Sequence, residues 1–272
     1  MPTLAIIGAG HVGRTLGRLF HESGAFTVQD VLARSAASAA AGTLFIGAGQ
    51  ACSSYSQLRK ADVYLLAVTD DQIVSACEAL AGAVPLQGSV VFHCSGALAS
   101  DRLSAARDAG ALVASVHPIR SFADVEAVAA HFAGTFCGVE GEEPALAVLL
   151  PALERIGARP VRIDASAKTV YHAAAVFASN YLVTVLDAAL RAYQAAGIPE
   201  DVARELARPL AEESMRNVFR LGPAPALSGP IARGDMATVQ RQQQALAAWD
   251  AATGALYAAL VPPTQDLASR KR

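Results

Sequence analysis

Charged residues are scarce in this chain of 272 residues: they make up 17% of the sequence, whereas hydrophobic residues make up 53%. This composition raises the question of a membrane protein, because a spanning helix needs about 20 consecutive apolar residues. The uncharged stretch Thr169–Leu186 is the main candidate, but it contains polar residues such as His172 and Asn180 that are costly in lipid. We therefore expect a helix that is buried within protein on every side, and no membrane partner.

Neither sign of charge predominates, since the formal net charge is -2. A protein that binds nucleic acid by neutralising phosphates is usually strongly basic, so we expect no nucleic-acid partner. No basic segment precedes the first apolar run, Leu4–Ile7. We therefore expect no secretory signal and a cytoplasmic location.

Cysteine is also sparse, with four widely spaced residues. Their spacing fits neither a zinc site nor a dense disulfide framework, so no metal is expected. Two of them could still pair, although reduced thiols are the simpler interpretation. The four are Cys52, Cys77, Cys94 and Cys137.

A glycine pattern follows the run Leu4–Ile7, which is typical of a buried parallel strand. In Gly8-Ala9-Gly10-His11-Val12-Gly13, the first glycine allows a tight turn, the second lets the backbone approach a pyrophosphate, and the third lets helix and strand pack closely. The helix that starts at His11 and Val12 offers free N–H groups to phosphates. We expect Gly8, Gly10, His11, Val12 and Gly13 to bind a dinucleotide. The alternative is a glycine-rich turn without a ligand.

The end of the second strand should select the dinucleotide. The strand Phe26–Ala33 is followed by Arg34 and Ser35, where the ribose of the ligand would lie. A guanidinium group suits a 2′-phosphate because it is always charged and can donate two parallel hydrogen bonds. Asp30 would suit NAD(H), but it falls before the crevice. We therefore prefer NADP(H) over NAD(H), with an ordinary solvated arginine as the alternative.

Strands and helices alternate as far as Ile163, which predicts an α/β domain, residues 1–163, with a doubly wound, mainly parallel sheet of the Rossmann type. Ligands bind such sheets beyond the carboxyl ends of the strands. Val68 and Thr69 should therefore lie near the cofactor. Ser95 and Gly96 should lie near its nicotinamide end and the substrate. His117 either binds substrate or closes a rigid turn.

The second half, residues 164–272, has the pattern of an all-helical domain that would bind substrate and form dimers. A long helix is predicted over Ala165–Ala195, and another from about Met236 to Leu260. Within the first of these, Lys168 and His172 are four residues apart and share a face, and Asn180 follows two turns later.

Five segments of the chain resemble a bacterial family in which a Rossmann-like domain is joined to domain of unknown function 2520. This family lies in the 6-phosphogluconate and β-hydroxyacid dehydrogenase superfamily, with ketopantoate and pyrroline-5-carboxylate reductases as relatives. The resemblance implies NADP binding, a C-terminal helical domain like that of 6-phosphogluconate dehydrogenase, and a homodimer through the C-terminal helices. The segments are Gly8–Gly13, His93–Leu98, Ser115–Pro118, Tyr171–Ala175 with Ser179–Tyr181, and Gly229–Asp235.

Hydride transfer to a carbonyl or imine needs a proton donor beside the substrate. Lys168 is one candidate, because the other two lysines, Lys60 and Lys271, lie outside any apparent site. The related dehydrogenases carry an asparagine one turn after their lysine, whereas this chain has His172 there. His172 could instead be the acid, with Asn180 orienting the substrate or nicotinamide. A histidine or amide that only satisfies the core is the alternative.

Two further residues were assigned to the substrate. Ser179 lies beside Asn180, and Arg233 lies in an unusual loop before a helix, where it could clamp a carboxylate. Alternatively, Arg233 pairs with a carboxylate in a helix-entry turn that Asp235 caps. The resulting hypothesis is an NADP(H)-dependent oxidoreductase that reduces a small oxo acid or imino acid. A non-catalytic NADP(H)-binding or redox-sensing protein is the alternative.

Overall fold

The computed structural model describes residues 1–271 and forms two compact units, Met1–Phe177 and a second unit from Ala178 onward. The predicted domain boundary after Ile163 coincides with the end of the last strand, whereas the boundary between the compact units falls later, within a long helical segment. The two units are described separately below.

The first unit contains an eight-stranded sheet in the order β3-β2-β1-β4-β5-β6-β7-β8. All neighbouring strands run parallel except β6 and β7. This arrangement confirms the predicted doubly wound α/β class. The strands are β1 Thr3–Ile7, β2 Thr27–Leu32, β3 Gln50–Cys52, β4 Val63–Leu66, β5 Val90–His93, β6 Leu112–Pro118, β7 Phe136–Gly141 and β8 Arg159–Arg162.

Helices cover both faces of this sheet, and two separate apolar clusters fill the space on its two sides. The central strands β1, β4 and β5 are therefore buried on both faces, which accounts for their continuous apolar runs. The helices of the first unit are α1 His11–Glu22, α2 Ala36–Ile46, α3 Ile73–Ala83, α4 Ser104–Asp108, α5 Val125–Ala130, α6 Glu143–Arg155 and α7 Lys168–Val176.

The second unit is all-helical within the described residues, as predicted. The helix predicted from about Met236 to Leu260 differs from the expectation, because it is divided in two. The Pro/Gly-rich segment after Leu221 contains a short helix, and the last long helix is interrupted at Asp250, whose side chain accepts a hydrogen bond from the Thr253 N–H and caps a new helix. The helices are α8 Leu182–Ala195, α9 Glu200–Leu221, α10 Pro223–Ala226, α11 Pro230–Arg233, α12 Met236–Trp249 and α13 Ala251–Ser269.

The predicted long helix over Ala165–Ala195 is continuous, with a π-helical segment, Phe177–Tyr181, between α7 and α8. Among the described residues it is the one helix long and apolar enough to cross a membrane. The expectation that this chain buries it on every side is wrong, because none of its most apolar window is buried. An apolar composition predicts that a helix is covered by some other apolar surface. It does not predict whether that surface belongs to the same chain.

Candidate functional site

The glycine pattern forms a tight turn between β1 and α1. Gly8 has a φ of 107°, and a Cβ atom there would lie 2.3 Å from the Ala67 carbonyl oxygen. A Cβ atom at Gly13 would lie 2.0 Å from the Gly8 carbonyl oxygen. At Gly10, by contrast, a Cβ atom would meet nothing within 4 Å. Two glycines are therefore required by the fold itself, whereas Gly10 leaves open space at the start of α1.

A cleft extends from this turn along the carboxyl ends of β1, β2 and β4. It consists of two adjoining cavities of about 350 and 290 Å³, and Gly8, Arg34 and Val68 line both. Gly10 and Thr69 line the smaller one. The structure thus places Gly8, Gly10, Arg34, Val68 and Thr69 where the sequence predicts the cofactor.

The donor groups of this cleft fit a phosphorylated dinucleotide. Gly10 caps α1 without a side-chain hydrogen bond, and the first turn of α1 carries no acidic residue. Arg34 adds a cation beyond the end of β2. An open helix N-terminus beside an arginine suits phosphate groups.

The other predicted cofactor residues contribute less directly. The His11 ring bonds to the Phe122 carbonyl oxygen at 2.6 Å, and Val12 packs against the core. Ser35 caps α2 through a hydrogen bond from the Ser38 N–H. Asp30 is fully buried and bound by Arg59 at 2.6 and 3.0 Å, which agrees with its expected place before the crevice.

Several polar residues of the cleft were not predicted. Ser53 and Tyr55 follow β3, a strand too short and too polar to give a periodic signal, and Ser38 and Gln72 lie near the starts of helices. Their position depends on strand order, which places β3 beside β2.

A second group of side chains surrounds Gly96, after β5. A Cβ atom at Gly96 would lie 2.3 Å from His172 Nδ1 and 2.8 Å from His117 Nε2. The two imidazole rings lie 5.5 Å apart between centroids. His172 Nδ1 is buried and has no hydrogen-bond partner within residues 1–271. The structure therefore brings His117, His172 and Gly96 together, although they are far apart in the sequence.

Tyr171 completes this group, and its hydroxyl bonds to His117 Nδ1 at 2.9 Å. The hydroxyl lies against Gly138, which pairs with His117 across β6 and β7 and where a Cβ atom would lie 2.3 Å from that oxygen. Burial raises the pKa of Tyr171 to about 12. Burial, reinforced by His172 and Lys168, lowers the pKa of His117 to about 4. Both groups are therefore uncharged near neutral pH.

Lys168 lies beneath the Gly96 turn and is only 1% exposed. Its ammonium group donates to the Ser95 carbonyl oxygen at 2.9 Å and to the Ser115 hydroxyl, and it lies 3.8 Å from a Glu140 carboxylate oxygen. Burial lowers the pKa of Lys168 to about 8, against a smaller opposing effect of Glu140. These contacts fix the Ser95 backbone.

The Ser95 hydroxyl stabilises the turn that follows β5, because it accepts hydrogen bonds from the N–H groups of Ala97 and Leu98. His93 is fully buried and bonded to the Ala99 carbonyl oxygen and the Ser95 N–H. The backbone of Ser95 and Gly96 is thus supported from both sides. A ligand contact of Ser95 stays a prediction.

The remaining predicted site residues belong to the second unit. Ser179 and Asn180 lie in the π-helical segment and are exposed, so Asn180 is not the buried amide that was expected. Arg233 is an exposed residue of the short helix α11, and Asp235 accepts a hydrogen bond from the Thr238 N–H and caps α12. The convergence of these residues with His172 stays a prediction.

Sequence reasoning missed Tyr171 and the acidic partner of Lys168. Tyr171 precedes His172 in a segment that resembles the family, so it could have been assigned from its neighbour. Glu140 had no such signal, because its place beside Lys168 follows from the antiparallel pairing of β7 with β6. The same applies to Ser100, which donates to Glu140 from its N–H at 2.7 Å and its hydroxyl at 2.8 Å.

Comparison with solved structures identifies several similar folds. A candidate NADP oxidoreductase from Bacteroides fragilis, BF3122, is 20% identical, with 97% of this chain and 98% of that chain covered and a TM-score of 0.80. Protein TM1727 from Thermotoga maritima is 28% identical, with 99% and 100% covered and a TM-score of 0.75. An imine reductase from Myxococcus stipitatus in complex with NADP+ is 17% identical, with 99% and 95% covered and a TM-score of 0.70.

Comparison with family models gives two adjacent matches, whereas comparison with curated proteins gives no match. Residues 2–118 match a Rossmann-like domain, and residues 135–263 match a domain of unknown function, DUF2520. The second match begins within the sheet and includes Glu140, Lys168, Tyr171 and His172. The chain therefore consists of a Rossmann-like domain followed by a DUF2520 domain.

Proposed function

We propose that the protein is an NADP(H)-dependent oxidoreductase that reduces a small oxo acid or imino acid. One observation supports this proposal: two features lie at the same edge of the sheet. They are the cleft beside Gly10 and Arg34, and the His117–His172 pair around Gly96. Both follow the carboxyl ends of parallel strands, where ligands of open α/β sheets bind. The similar solved structures include an imine reductase that holds NADP+.

The bound dinucleotide would supply a hydride. The chain's own residues would hold the pyrophosphate at the start of α1, with Arg34 and Ser38 beside the 2′-phosphate. Gly96 would let the substrate approach the two imidazole rings closely. His172 is the candidate proton donor, because histidine is the commonest general acid in enzymes and its Nδ1 has no competing partner in the described chain.

Lys168 is better suited to positioning than to proton transfer. Its ammonium group is buried and donates to the Ser95 carbonyl oxygen and the Ser115 hydroxyl. A proton donor must instead reach the reacting atom. We therefore assign Lys168 to holding the Ser95–Gly96 backbone, in contrast to the lysine of the related dehydrogenases.

Two alanine variants test the cofactor site. Gly10→Ala places a methyl group in the open space at the start of α1, where the pyrophosphate would lie. Gly82→Ala is the matched control, since its Cβ atom also meets nothing within 4 Å but lies in α3. In a fluorescence titration we expect Gly10→Ala to weaken NADPH binding by about tenfold or more, the equivalent of about 1.4 kcal/mol. The control should match the wild type, and equal affinities in all three proteins would refute the assigned site.

The same titration tests the preference for NADP(H). Arg34→Ala should weaken the binding of NADPH about tenfold and leave that of NADH unchanged, because only NADPH carries the 2′-phosphate. Arg34→Lys keeps the charge but loses the paired donors, so an intermediate affinity is expected. An unchanged preference in Arg34→Ala would remove Arg34 from this role.

A non-catalytic NADP(H)-binding or redox-sensing protein is the second candidate. One observation favours it: Lys168, which could have acted as the acid, instead contacts the Ser95 carbonyl oxygen and Glu140. A substrate screen that follows NADPH oxidation separates the two functions. Binding of NADPH without turnover of any oxo acid or imino acid would support the second candidate.

A further inference from the structure

The hydrogen bond between Tyr171 and His117 has a defined direction. A phenol hydroxyl is a stronger hydrogen-bond donor than acceptor, and the unprotonated nitrogen of a neutral imidazole is an acceptor. Burial raises the pKa of Tyr171 to about 12, so the tyrosine keeps its proton. That proton is then directed at His117 Nδ1, 2.9 Å away. Neutral imidazole carries one proton, so in His117 the proton lies on Nε2.

His117 Nε2–H faces the space above Gly96. The same space borders His172 Nδ1, and only the missing side chain at residue 96 keeps it open. An atom bound there would lie beside the His117 Nε2–H, which is an uncharged donor, and Tyr171 holds the orientation of that ring. A carbonyl oxygen accepts such a hydrogen bond, whereas a protonated imine nitrogen is itself a donor and would oppose it.

The charges around His117 favour the same ligand. Lys168 and His172 lower the pKa of His117, and Asp70 opposes them with a smaller effect. The carboxylate closest to Lys168, Glu140, is already held by Ser100 and Lys168. Within the first unit, a cationic imine would therefore be repelled by the Lys168 ammonium group more than it is attracted by Asp70, whereas a developing alkoxide would be stabilised.

We propose that Tyr171, His117 and Gly96 form a donor subsite for a carbonyl oxygen, so that the substrate is an oxo acid rather than a cationic imine. This inference rests on the proposed function and specifies its substrate class. In the reduction, the carbonyl carbon receives a hydride with its two electrons from the reduced nicotinamide dinucleotide. The π-electron pair moves to the oxygen, which receives a proton from the imidazolium form of His172. An alcohol and the oxidised dinucleotide result, and His172 regains a proton from water.

A matched pair of substrates tests the class. We would compare 2-oxopentanoate with 1-pyrroline-2-carboxylate, which have the same number of carbons, in steady-state kinetics with NADPH. The expected result is a kcat/KM at least about tenfold higher for the oxo acid, a difference of about 1.4 kcal/mol. A preference for the imine would overturn this inference and leave the proposed reductase standing. Failure to reduce either compound, with NADPH bound, would overturn both.

The role of Tyr171 has a readout that does not depend on turnover. Nitrogen-15 NMR of the histidine rings should show His117 with its proton on Nε2 in the wild type, whether or not cofactor is present. In Tyr171→Phe this preference should be lost, and kcat for the oxo acid should fall about 10- to 100-fold with NADPH affinity unchanged. A proton on Nδ1 in the wild type, or an unchanged kcat in the variant, would contradict the subsite.

Tyr64→Phe is the matched control for this variant. Tyr64 is fully buried, whereas Tyr171 is half-buried. The Tyr64 hydroxyl accepts a hydrogen bond from the Ala61 N–H at 2.8 Å, ahead of β4 and away from the cleft. Removal of this hydroxyl should lower stability but leave kcat and the His117 tautomer unchanged.

Discussion

At the scale of single residues, the fold buries two charged side chains, Lys168 and Glu140, and removing them from water costs free energy. Lys168 is 1% exposed and Glu140 is 7% exposed, and the two are 3.8 Å apart. Ser95, Ser100 and Ser115 satisfy the remaining hydrogen bonds of the pair. A buried ion pair contributes little net stability, but removal of one partner leaves a buried charge uncompensated. Its use here is to hold the turn that carries Gly96.

The variant Lys168→Met should therefore be strongly destabilised, by about 3–5 kcal/mol in urea unfolding. The double variant Lys168→Met/Glu140→Gln should recover part of this loss, because it removes both charges. A loss below about 1 kcal/mol in the single variant would show that the pair is not coupled in the folded protein.

The same lysine gives a pH dependence. Its pKa is about 8 in the folded protein and 10.5 for an ordinary lysine, so between these values the unfolded chain binds more protons than the folded one. The free energy of unfolding that this group contributes should therefore rise with pH from about 8 to 10.5. The measurement is the difference between wild type and Lys168→Met across this range, with the exposed Lys60→Met as control. A flat difference would contradict the shifted pKa.

At the scale of secondary-structure elements, the packing of α1 against the strand end sets the geometry of the cleft. Gly13 brings the helix against the Gly8 backbone, and Gly17 brings it against the side chains of Ile6 and Ile46. Backbone cannot move aside as easily as the end of a flexible side chain. The two glycines should therefore differ in their tolerance of a methyl group.

Gly13→Ala should lower the free energy of unfolding by about 1–3 kcal/mol, the range for overpacking a rigid site. Gly17→Ala should cost less, because the atoms that it meets are side-chain ends. Urea unfolding of both variants in the full chain provides the comparison. Equal losses would show that α1 shifts as a unit and relieves both contacts.

At the scale of the whole molecule, the second unit exposes much apolar surface. Val183 is 66% exposed, Leu210 is 61% exposed and Phe219 is 90% exposed. Large exposed apolar patches mark interaction surfaces. We propose that a second copy of this chain covers this surface, as the family resemblance implies, and that the protein is a homodimer.

Light scattering should give the mass of a dimer. Phe219→Glu should shift the protein towards a monomer, because it places a charge in the proposed interface. Leu44→Glu is the control, since Leu44 is 84% exposed on α2 in the first unit. A stable monomeric wild type would contradict the dimer, and wild-type protein that sediments with lipid vesicles would favour the membrane instead.

Much of the first unit could be predicted from local patterns. Buried parallel strands such as β1 and β4 are continuous apolar runs, and the glycine pattern marks the start of α1. Gln50–Cys52 was missed because a strand of three residues has no period, and Asp250 was missed because it breaks an otherwise helical pattern by capping the next helix. The exposure of Asn180 could not be predicted, since it depends on which surfaces meet.

The sequence by itself determined the fold class, the place of the cleft beside the glycine-rich turn and the set of polar residues available for chemistry, because these follow from periodicity, glycine spacing and residue type. Only the tertiary structure decided what each polar residue does. Strand order brings His117, Tyr171 and His172 around Gly96, and it surrounds Lys168 with Ser95, Ser115 and Glu140. Contacts between residues far apart in the chain leave no local pattern, and these contacts distinguish the open His117–His172 pair from the buried Lys168.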